Sequence, residues 1–146
     1  MIEIHEIDVN SFEHMALLEE LKRLPYEEMD GRHVAIKALT PAEGARILVA
    51  MDGANILGAA SYRVHEGAIK RINMGGLQPH KGIGSAFVRK MISDNPGLPM
   101  WVKSVPAANG FCKKIGMTAC ETLENGWRIF RWTAEEAASF VQPCSR

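Results

Sequence analysis

The sequence has no surplus of charge of either sign. Seventeen Lys and Arg residues balance seventeen Asp and Glu residues, so the formal net charge at pH 7 is zero. Proteins that bind nucleic acids generically need a surplus of positive charge to neutralise phosphates. The balance therefore argues against generic nucleic-acid binding, although it leaves room for a local basic patch.

Cysteine is scarce, and its three positions form no CxxC pair and match no zinc spacing: Cys112, Cys120 and Cys144. An odd number of cysteines without a pairing pattern is typical of reduced thiols in a reducing compartment. The five histidines show no ligand spacing with these cysteines. The sequence therefore predicts a cytoplasmic protein without a metal site.

Long hydrophobic runs are also missing. No stretch approaches the ~18 apolar residues that a membrane helix needs, and residues 1–6 include acids and no signal-peptide core. There are no repeats, low-complexity tracts or Pro/Gly/Ser-rich linkers. Because domains usually have about 100 to 200 residues, we expect one domain over residues 1–146 with no membrane association.

Hydrophobic periodicity and turn residues divide the chain into predicted elements. The predicted strands cover residues 2–7, 47–51, 56–64, 68–74, 100–104, 118–123 and 127–132. The predicted helices cover residues 12–24, 34–39 (weakly), 85–92, 106–115 and 133–141. Helices that interrupt a largely antiparallel run of strands indicate an α+β domain, with a mixed, mostly antiparallel sheet and flanking helices.

The last predicted strand, residues 127–132, follows an Asn125-Gly126 pair, which is a strong hairpin signal. It carries aromatic residues on both faces, a pattern that predicts burial on both sides. Core packing is the favoured role for this strand, and a wall of an acceptor pocket is the alternative.

A glycine turn at residues 78–85 lies between a predicted strand and a predicted helix. Gly82 and Gly84 have no Cβ, so a ligand can approach the backbone amides closely. The helix that follows offers unpaired N–H groups and its positive dipole end, an arrangement suited to a phosphate or pyrophosphate. A bare turn that needs glycine for its conformation is the alternative.

Two common phosphate motifs do not fit this turn. A Walker A loop has Gly-Lys-Ser/Thr at its end, whereas Gly84 is followed by Ser85-Ala86. A Rossmann fingerprint has a third glycine, whereas position 87 is Phe.

Three segments together resemble the GCN5-related N-acetyltransferase (GNAT) family. Residues 47–60 resemble a strand pair common in that family, and residues 82–88 (Gly-Ile-Gly-Ser-Ala-Phe-Val) resemble its acetyl-CoA loop and helix. Residues 106–117, ending Phe-Cys-Lys-Lys-Ile-Gly-Met, resemble its second motif. The resemblance covers residues 45–132 well, and the first 44 residues only by element order. It implies an acyl-CoA N-acyltransferase-like fold and transfer of acetyl from acetyl-CoA to a primary amine by direct attack in a ternary complex.

The resemblance also implies how acetyl-CoA is bound: amides of the glycine turn hold the pyrophosphate, and amides at the end of the preceding strand orient the thioester carbonyl. The family usually has Gln or Arg three residues before the first glycine, where this chain has Pro79. His80 or Lys81 could supply that positive partner, and solvated loop residues are the alternative. The implied cofactor-binding residues are Met74, Gly75, Gly76, His80, Lys81, Gly82, Ile83, Gly84 and Ser85.

Cys112 stands where many family members carry a tyrosine that protonates the departing CoA thiolate. A thiol with an ordinary pKa of about 8.5 is a credible proton donor to a thiolate. Two alternatives stay open. The thiol could be a small core residue on the apolar face of its helix, or an acyl-accepting nucleophile, which would need an activating base.

The predicted strand 68–74 has no carboxylate to serve as the general base that many family members place there. Glu66 is too distant, because seven extended steps to Asn73 span ~23 Å. The other candidates follow the first helix and include Glu28, beside Tyr26, Glu27 and Asp30. A solvated charged loop is the alternative for these residues, and Asn73 could hold a water that takes the proton.

The altered loop, the missing tyrosine and the missing carboxylate favour a second interpretation. In it, the chain is a catalytically degenerate relative that binds acyl-CoA or a protein partner. The acceptor class stays open among a protein amino terminus, a lysine, a polyamine, an amino sugar and a small amine. The acyl chain preference and the oligomeric state stay open too, with a homodimer as one option.

Overall fold

The structure is a computed structural model and describes residues 1–24, 26–27, 33–34, 44–77, 82–104, 106 and 109–141. The chain divides into two units, Met1–Arg63 with Ile72–Phe87, and Val64–Arg71 with Val88–Arg146. Three elements contribute residues to both units: β5 (Asn55–His65), β6 (Ala68–Gly76) and α2 (Ile83–Asp94).

The first unit contains the strand order β1-β4-β5-β6. Strand β1 (Glu3–Glu6) pairs antiparallel with β4 (Arg46–Asp52), which pairs antiparallel with β5 and has an irregularity between Ala50 and Met51. The short strands β2 (Tyr26–Glu27) and β3 (His33–Val34) pair antiparallel, and β2 also pairs with β6 through Glu27 and Gly76. The end of β6 is therefore flanked by β5 and by β2.

Helix α1 (Phe12–Arg23) covers the core of the first unit. Its N-cap is Ser11, whose side chain accepts a hydrogen bond from the His14 N–H at 3.3 Å. Leu18 and Leu21 are fully buried against a cluster that contains Ile7, Ile47, Val49 and Ala59. Burial of a leucine side chain contributes roughly 1.5–3 kcal/mol, so the spacing of these residues fixes which face of α1 turns inward.

The second unit contains the strand order β6-β7-β9-β8. Strand β7 (Met100–Ser104) is parallel to β6, with Ile69 opposite Met100, and antiparallel to β9 (Arg128–Trp132). Strand β8 (Thr118–Thr122) pairs antiparallel with β9. The turn between β8 and β9 contains Asn125 and Gly126, both with positive φ (62° and 79°), as the Asn-Gly signal predicted.

Helices α3 (Asn109–Lys114) and α4 (Ala134–Val141) belong to the second unit. Phe130 and Trp132 of β9 are buried, and the Trp132 ring lies 4.8 Å from the Phe140 ring of α4. The Trp132 indole N–H donates to the Gly116 carbonyl at 3.0 Å, just after α3. Trp132 therefore connects β9 to both helices.

The predicted fold class is confirmed: α+β, with a mixed, mostly antiparallel sheet and flanking helices. The expectation of one domain over residues 1–146 stays a prediction. The weak helix predicted over 34–39 is wrong at Val34, which pairs with Tyr26 in a short strand, and residues 35–39 lie outside the described residues.

The prediction that residues 127–132 are buried on both sides is also wrong. Arg131 is exposed, and its guanidinium lies 5.4 Å from the centre of the Trp101 ring on the neighbouring strand. The long side chain of an arginine can cover apolar surface while its charge stays in water. This face of the sheet is therefore covered partly by its own cations.

None of the described helices is long and apolar enough to cross a bilayer. The described residues also contain no group of three or more His, Cys, Asp or Glu side chains that could hold a metal ion.

Candidate functional site

The amino terminus of α2, in the first unit, begins on a glycine. The Ala86 N–H donates to the Gly82 carbonyl at 2.9 Å, which makes Gly82 the N-cap residue. The N–H groups of the next three residues, Ile83, Gly84 and Ser85, have no partner within the helix, since such bonds begin one turn later. A glycine cap has no side chain to accept from them, and the first turn contains no acid.

Gly82 also leaves open space in front of these amides. Its φ is +93°, a conformation that favours glycine, and a Cβ built on it would meet no heavy atom within 4 Å. The residue is exposed. A helix terminus with free N–H groups, a positive dipole end and open space is chemically suited to an anion such as a phosphate.

The end of β6 supplies the second group of candidate residues. Asn73 is exposed, Met74 is half-buried and Gly75 is buried. A Cβ on Gly58 of β5 would lie 2.5 Å from the Gly75 carbonyl oxygen, so the two backbones approach more closely than any other residue type would allow. The Leu77 N–H continues the pairing by donating to the Leu57 carbonyl at 2.9 Å. Strand β5 therefore fixes the backbone of Gly75 and Gly76.

The structure places the described cofactor candidates in one unit: Met74, Gly75, Gly76, Gly82, Ile83, Gly84 and Ser85, together with Asn73. His80, Lys81 and Glu28 lie outside the described residues. Among the described candidates for a general base is Glu27, whose backbone pairs with Gly76. No local sequence signal distinguishes Glu27 from its neighbours, because this pairing joins distant parts of the chain.

Cys112 lies on α3, in the second unit, and is only 2% exposed. Burial raises the pKa of the Cys112 thiol, while hydrogen bonds from the Ser104 hydroxyl and from its own backbone N–H lower the pKa to a smaller extent. The thiol is therefore protonated at neutral pH. A raised pKa disfavours the nucleophile interpretation, and proton donation and core packing both stay compatible with the structure.

The position of Cys112 is fixed by the way α3 ends. Gly116 has a φ of 97°, and its N–H donates to the Lys113 carbonyl at 3.0 Å. The Met117 N–H donates to the Cys112 carbonyl at 3.0 Å. This pair of bonds is the Schellman arrangement, which satisfies the last carbonyls of a helix.

Two polar residues near Cys112 were not singled out in the sequence. Ser104 is 2% exposed and occupies the buried register of β7, where alternation calls for an apolar side chain. Asn109 donates from Nδ2 to the Gly126 carbonyl at 3.2 Å, while its Oδ1 is inaccessible to solvent and has no hydrogen-bond partner in the described protein. In the sequence, Ser104 could have been recognised as a polar residue at an apolar position of the predicted strand.

No protein-family model and no curated protein matches the chain, but solved structures do. The aminoglycoside 6'-N-acetyltransferase from Enterococcus faecium matches with a TM-score of 0.63 at 14% identity, over 99% of each chain. An acyl-CoA N-acyltransferase from Pseudomonas aeruginosa matches with a TM-score of 0.57 at 15% identity, over 90% of this chain and 97% of that one.

A third similar structure contains coenzyme A. The catalytic domain of the Tetrahymena GCN5 histone acetyltransferase, in complex with coenzyme A, matches with a TM-score of 0.56 at 13% identity, over 92% of this chain and 93% of that one. This chain therefore has the GNAT fold, as its sequence resemblance implied.

Proposed function

We propose that this chain is an acetyl-CoA-dependent N-acetyltransferase that moves an acetyl group to a primary amine. The observation that carries the proposal is the amino terminus of α2, which starts on Gly82 without a side-chain cap or an acid in its first turn, in a chain with the GNAT fold. The solved acetyltransferases with this fold support a transferase of this kind.

The residues present fit a pyrophosphate. The N–H groups of Ile83, Gly84 and Ser85 would donate to phosphate oxygens, and the open space at Gly82 would admit them. This recognition relies on backbone dipoles, so it needs no surplus of Lys or Arg. It is therefore compatible with the zero net charge of the chain.

The reaction needs three further contributions from the chain. Amides of Met74, Gly75 and Gly76 would orient the thioester carbonyl and stabilise the negative charge that develops on its oxygen. The amine nitrogen then attacks the carbonyl carbon, and the carbon–sulfur bond breaks. The Cys112 thiol, held protonated by burial, would donate its proton to the departing thiolate.

The amine must also lose a proton to become a nucleophile. Asn73, exposed on β6, could hold a water that accepts this proton. Glu28 and Glu27 are the acidic alternatives, and Glu27→Gln and Glu28→Gln form a matched pair of variants. A general base contributes about 10²–10⁴-fold to rate, so loss on that scale in one variant alone would identify the base.

The test is turnover with acetyl-CoA and a panel of protein amino termini, lysine peptides, polyamines, amino sugars and small amines. We expect release of free CoA thiol with at least one class, measured with the enzyme at catalytic concentration because Cys120 is itself an exposed thiol. Absence of acetyl-CoA binding by calorimetry at high micromolar concentration would refute the proposal. Saturable binding without turnover on any amine would favour the degenerate, non-catalytic alternative.

A further inference from the structure

One face of the sheet in the second unit is not covered by that unit's described helices. Helices α3 and α4 lie on the other face, where the Trp132 ring contacts Phe140 of α4 and the Trp132 indole N–H donates to the Gly116 carbonyl, just after α3. The part of α2 in this unit lies on the same side as α4, because the Arg89 guanidinium is 4.6 Å from the centre of the Phe140 ring. Side chains alternate along a strand, so the sequence neighbours of Trp132 in β9 turn away from these helices.

The face that turns away carries two tryptophans, each with a cation beside it. Strand register places Trp101 opposite Arg131 and Lys103 opposite Ile129. The Arg131 guanidinium lies 5.4 Å from the centre of the Trp101 ring, and the Lys103 ammonium lies 5.4 Å from the centre of the Trp127 ring. Both cations are exposed, whereas both rings are half-buried, so each cation covers apolar surface while its charge stays in water. We call this surface the open face, and it consists of Lys70, Trp101, Lys103, Trp127, Ile129 and Arg131.

Lys70 brings a third positive charge to the open face. It follows Ile69, which is fully buried and pairs with Met100 in parallel register, so alternation turns Lys70 toward the open face. Within the described residues, no ion pair includes Lys70, Lys103 or Arg131. In contrast, α1 and α2 each contain a lysine with a carboxylate partner about one turn away. The open face therefore presents positive charge that the described chain does not neutralise.

The charges of the open face are close enough to act together. Lys103 and Arg131 are diagonal neighbours on adjacent strands, positions that lie about 7–8 Å apart. Like charges at this distance repel each other, and a negative partner relieves the repulsion. An extended chain places the side chains of one face about 6.6 Å apart, since each residue advances about 3.3 Å. Acids at alternate positions of an extended segment therefore match the spacing of these two cations.

We propose that the open face binds an acidic protein segment in an extended conformation, whose alternate Asp or Glu side chains pair with Lys103 and Arg131. Charge complementarity carries this inference, because three cations share the face without an ion-pair partner among the described residues. The zero net charge of the chain does not record such a patch, since it averages over all residues. The inference goes beyond the proposed function and does not depend on it, because binding at this face needs no acetyl transfer.

Single-stranded nucleic acid is another anionic partner that tryptophans and cations can bind, and the geometry disfavours it. Bases stack on free aromatic faces, whereas Arg131 and Lys103 already lie over the Trp101 and Trp127 rings. Glu121 of β8 adds a negative charge at the edge of the open face, which would repel a polyanion that runs across the sheet. An acidic peptide needs only the charged ends of the cations, so it can bind without displacing them from the rings.

The first experiment measures binding of a short peptide of alternating Glu and Ser, labelled with a neutral dye, by fluorescence anisotropy. We expect saturable binding that added salt weakens, and no binding of the matched Gln-Ser peptide. Lys103→Glu/Arg131→Glu should weaken binding at least about tenfold, because repulsion replaces attraction. Lys113→Glu/Lys114→Glu is the matched control, since it makes the same change in net charge at exposed positions of α3 and should retain most of the affinity. Circular dichroism checks the fold of both variants.

The same measurements contain the results that would overturn the inference. Equal losses in the two double variants would show a general attraction to the acidic peptide rather than a site. Equal binding of the Gln-Ser peptide would show that charge plays no part. Tighter binding of a single-stranded oligonucleotide of equal charge, lost in Lys103→Glu/Arg131→Glu, would assign the open face to nucleic acid instead.

The second experiment locates the peptide with the three tryptophans of the chain. In ¹⁵N-labelled protein each indole N–H gives its own NMR resonance, assigned with Trp101→Phe and Trp127→Phe. We expect the Glu-Ser peptide to shift the resonances of Trp101 and Trp127 but not that of Trp132, whose N–H is bonded to the Gly116 carbonyl on the covered face. A shift of Trp132 alone, or no shift at saturating peptide, would overturn the inference. Neither experiment depends on turnover, so a failure of the proposed acetyltransferase activity would leave this test intact.

Discussion

The amino termini of α2 and α4 have the same backbone hydrogen bond at the N-cap and differ in the side chains around it. In both helices the N-cap carbonyl accepts from the residue four positions later at 2.9 Å, Gly82 from Ala86 and Thr133 from Ala137. In α4 the Thr133 hydroxyl accepts from the Glu136 N–H at 3.2 Å, and the Glu136 carboxylate accepts from the Thr133 N–H at 2.9 Å. This reciprocal capping box satisfies free donors from within the helix.

Within the described residues, helix α2 has no such capping box. Where α4 has Glu135 and Glu136 in its first turn, α2 has Gly84 and Ser85 at the equivalent positions. Helix α1 is also capped by its own serine, Ser11. Free N–H groups at a helix start are satisfied by a cap, by water or by a ligand, so a start without a side-chain cap or an acid is compatible with an external anion. Exchanging these features between helices tests that interpretation.

The largest expected effect comes from placing at Gly84 the acid that α4 has at this position. We expect Gly84→Glu to weaken acetyl-CoA binding at least about 100-fold, near 2.7 kcal/mol. The carboxylate would occupy the space of the phosphate and repel its negative charge. Isothermal titration calorimetry measures the affinity, and circular dichroism checks the fold. Gly84→Gln is the matched control, since it has the same size without the charge and should bind better than Gly84→Glu. Unchanged affinity in Gly84→Glu would show that the pyrophosphate binds elsewhere.

A second prediction concerns two glycines with different roles: Gly82 leaves space for a ligand, and Gly58 leaves space for the backbone of a neighbouring strand. The space at Gly82 is open, whereas a Cβ on Gly58 would lie 2.5 Å from the Gly75 carbonyl oxygen. We expect Gly58→Ala to lower the free energy of unfolding by about 1–3 kcal/mol, as overpacking does, in urea denaturation. Gly110→Ala is the control, because a Cβ there meets nothing within 4 Å and alanine favours a helix. Equal stabilities of the two variants would contradict the close approach.

The sequence predicts those elements that depend on local signals. The sequence predicts a strand at residues 100–104, and β7 spans Met100–Ser104. It also predicts a helix after a Thr133 cap, and α4 spans Ala134–Val141. Both depend on local signals: apolar alternation in one case, and a capping residue before an amphipathic run in the other. The sequence also indicates a turn at Gly82, because glycine readily adopts a positive φ, and the structure shows a positive φ there.

Features that join distant residues were not predictable in the same way. The pairing of Glu27 with Gly76 connects residues without a shared pattern, and a two-residue strand has too few positions to show alternation. The burial that raises the pKa of the Cys112 thiol depends on how α3 packs, which its sequence does not specify. Likewise, the need for glycine at position 58 comes from the neighbouring strand β6, whose Gly75 carbonyl leaves no room for a Cβ.

A third prediction removes the cap that α4 has and α2 lacks. We expect Thr133→Ala to lower the free energy of unfolding by about 1 kcal/mol, the usual effect of losing an N-cap side chain. Acetyl-CoA affinity should stay unchanged, since α4 has no role in the proposed binding site. Urea denaturation and calorimetry on the same preparation measure the two quantities, and Thr133→Ser, which keeps the hydroxyl, is the control. A loss of affinity without a loss of stability would assign α4 to the binding site instead.

The smallest effect comes from Ser85→Glu, which gives α2 the acid that α4 has as Glu136. This substitution should change stability and acetyl-CoA affinity in opposite directions. An acid in the first turn stabilises a helix by about 0.3–1 kcal/mol, so the free energy of unfolding should rise. The same carboxylate would compete with phosphate for the N–H groups, so acetyl-CoA affinity should fall about fivefold, near 1 kcal/mol. Ser85→Gln should show a smaller gain in stability and a smaller loss of affinity. Added salt should reduce both effects of Ser85→Glu, since exposed charges are screened. A helix start optimised for the fold would gain stability without losing affinity, whereas one left open for a ligand must lose affinity as it gains stability.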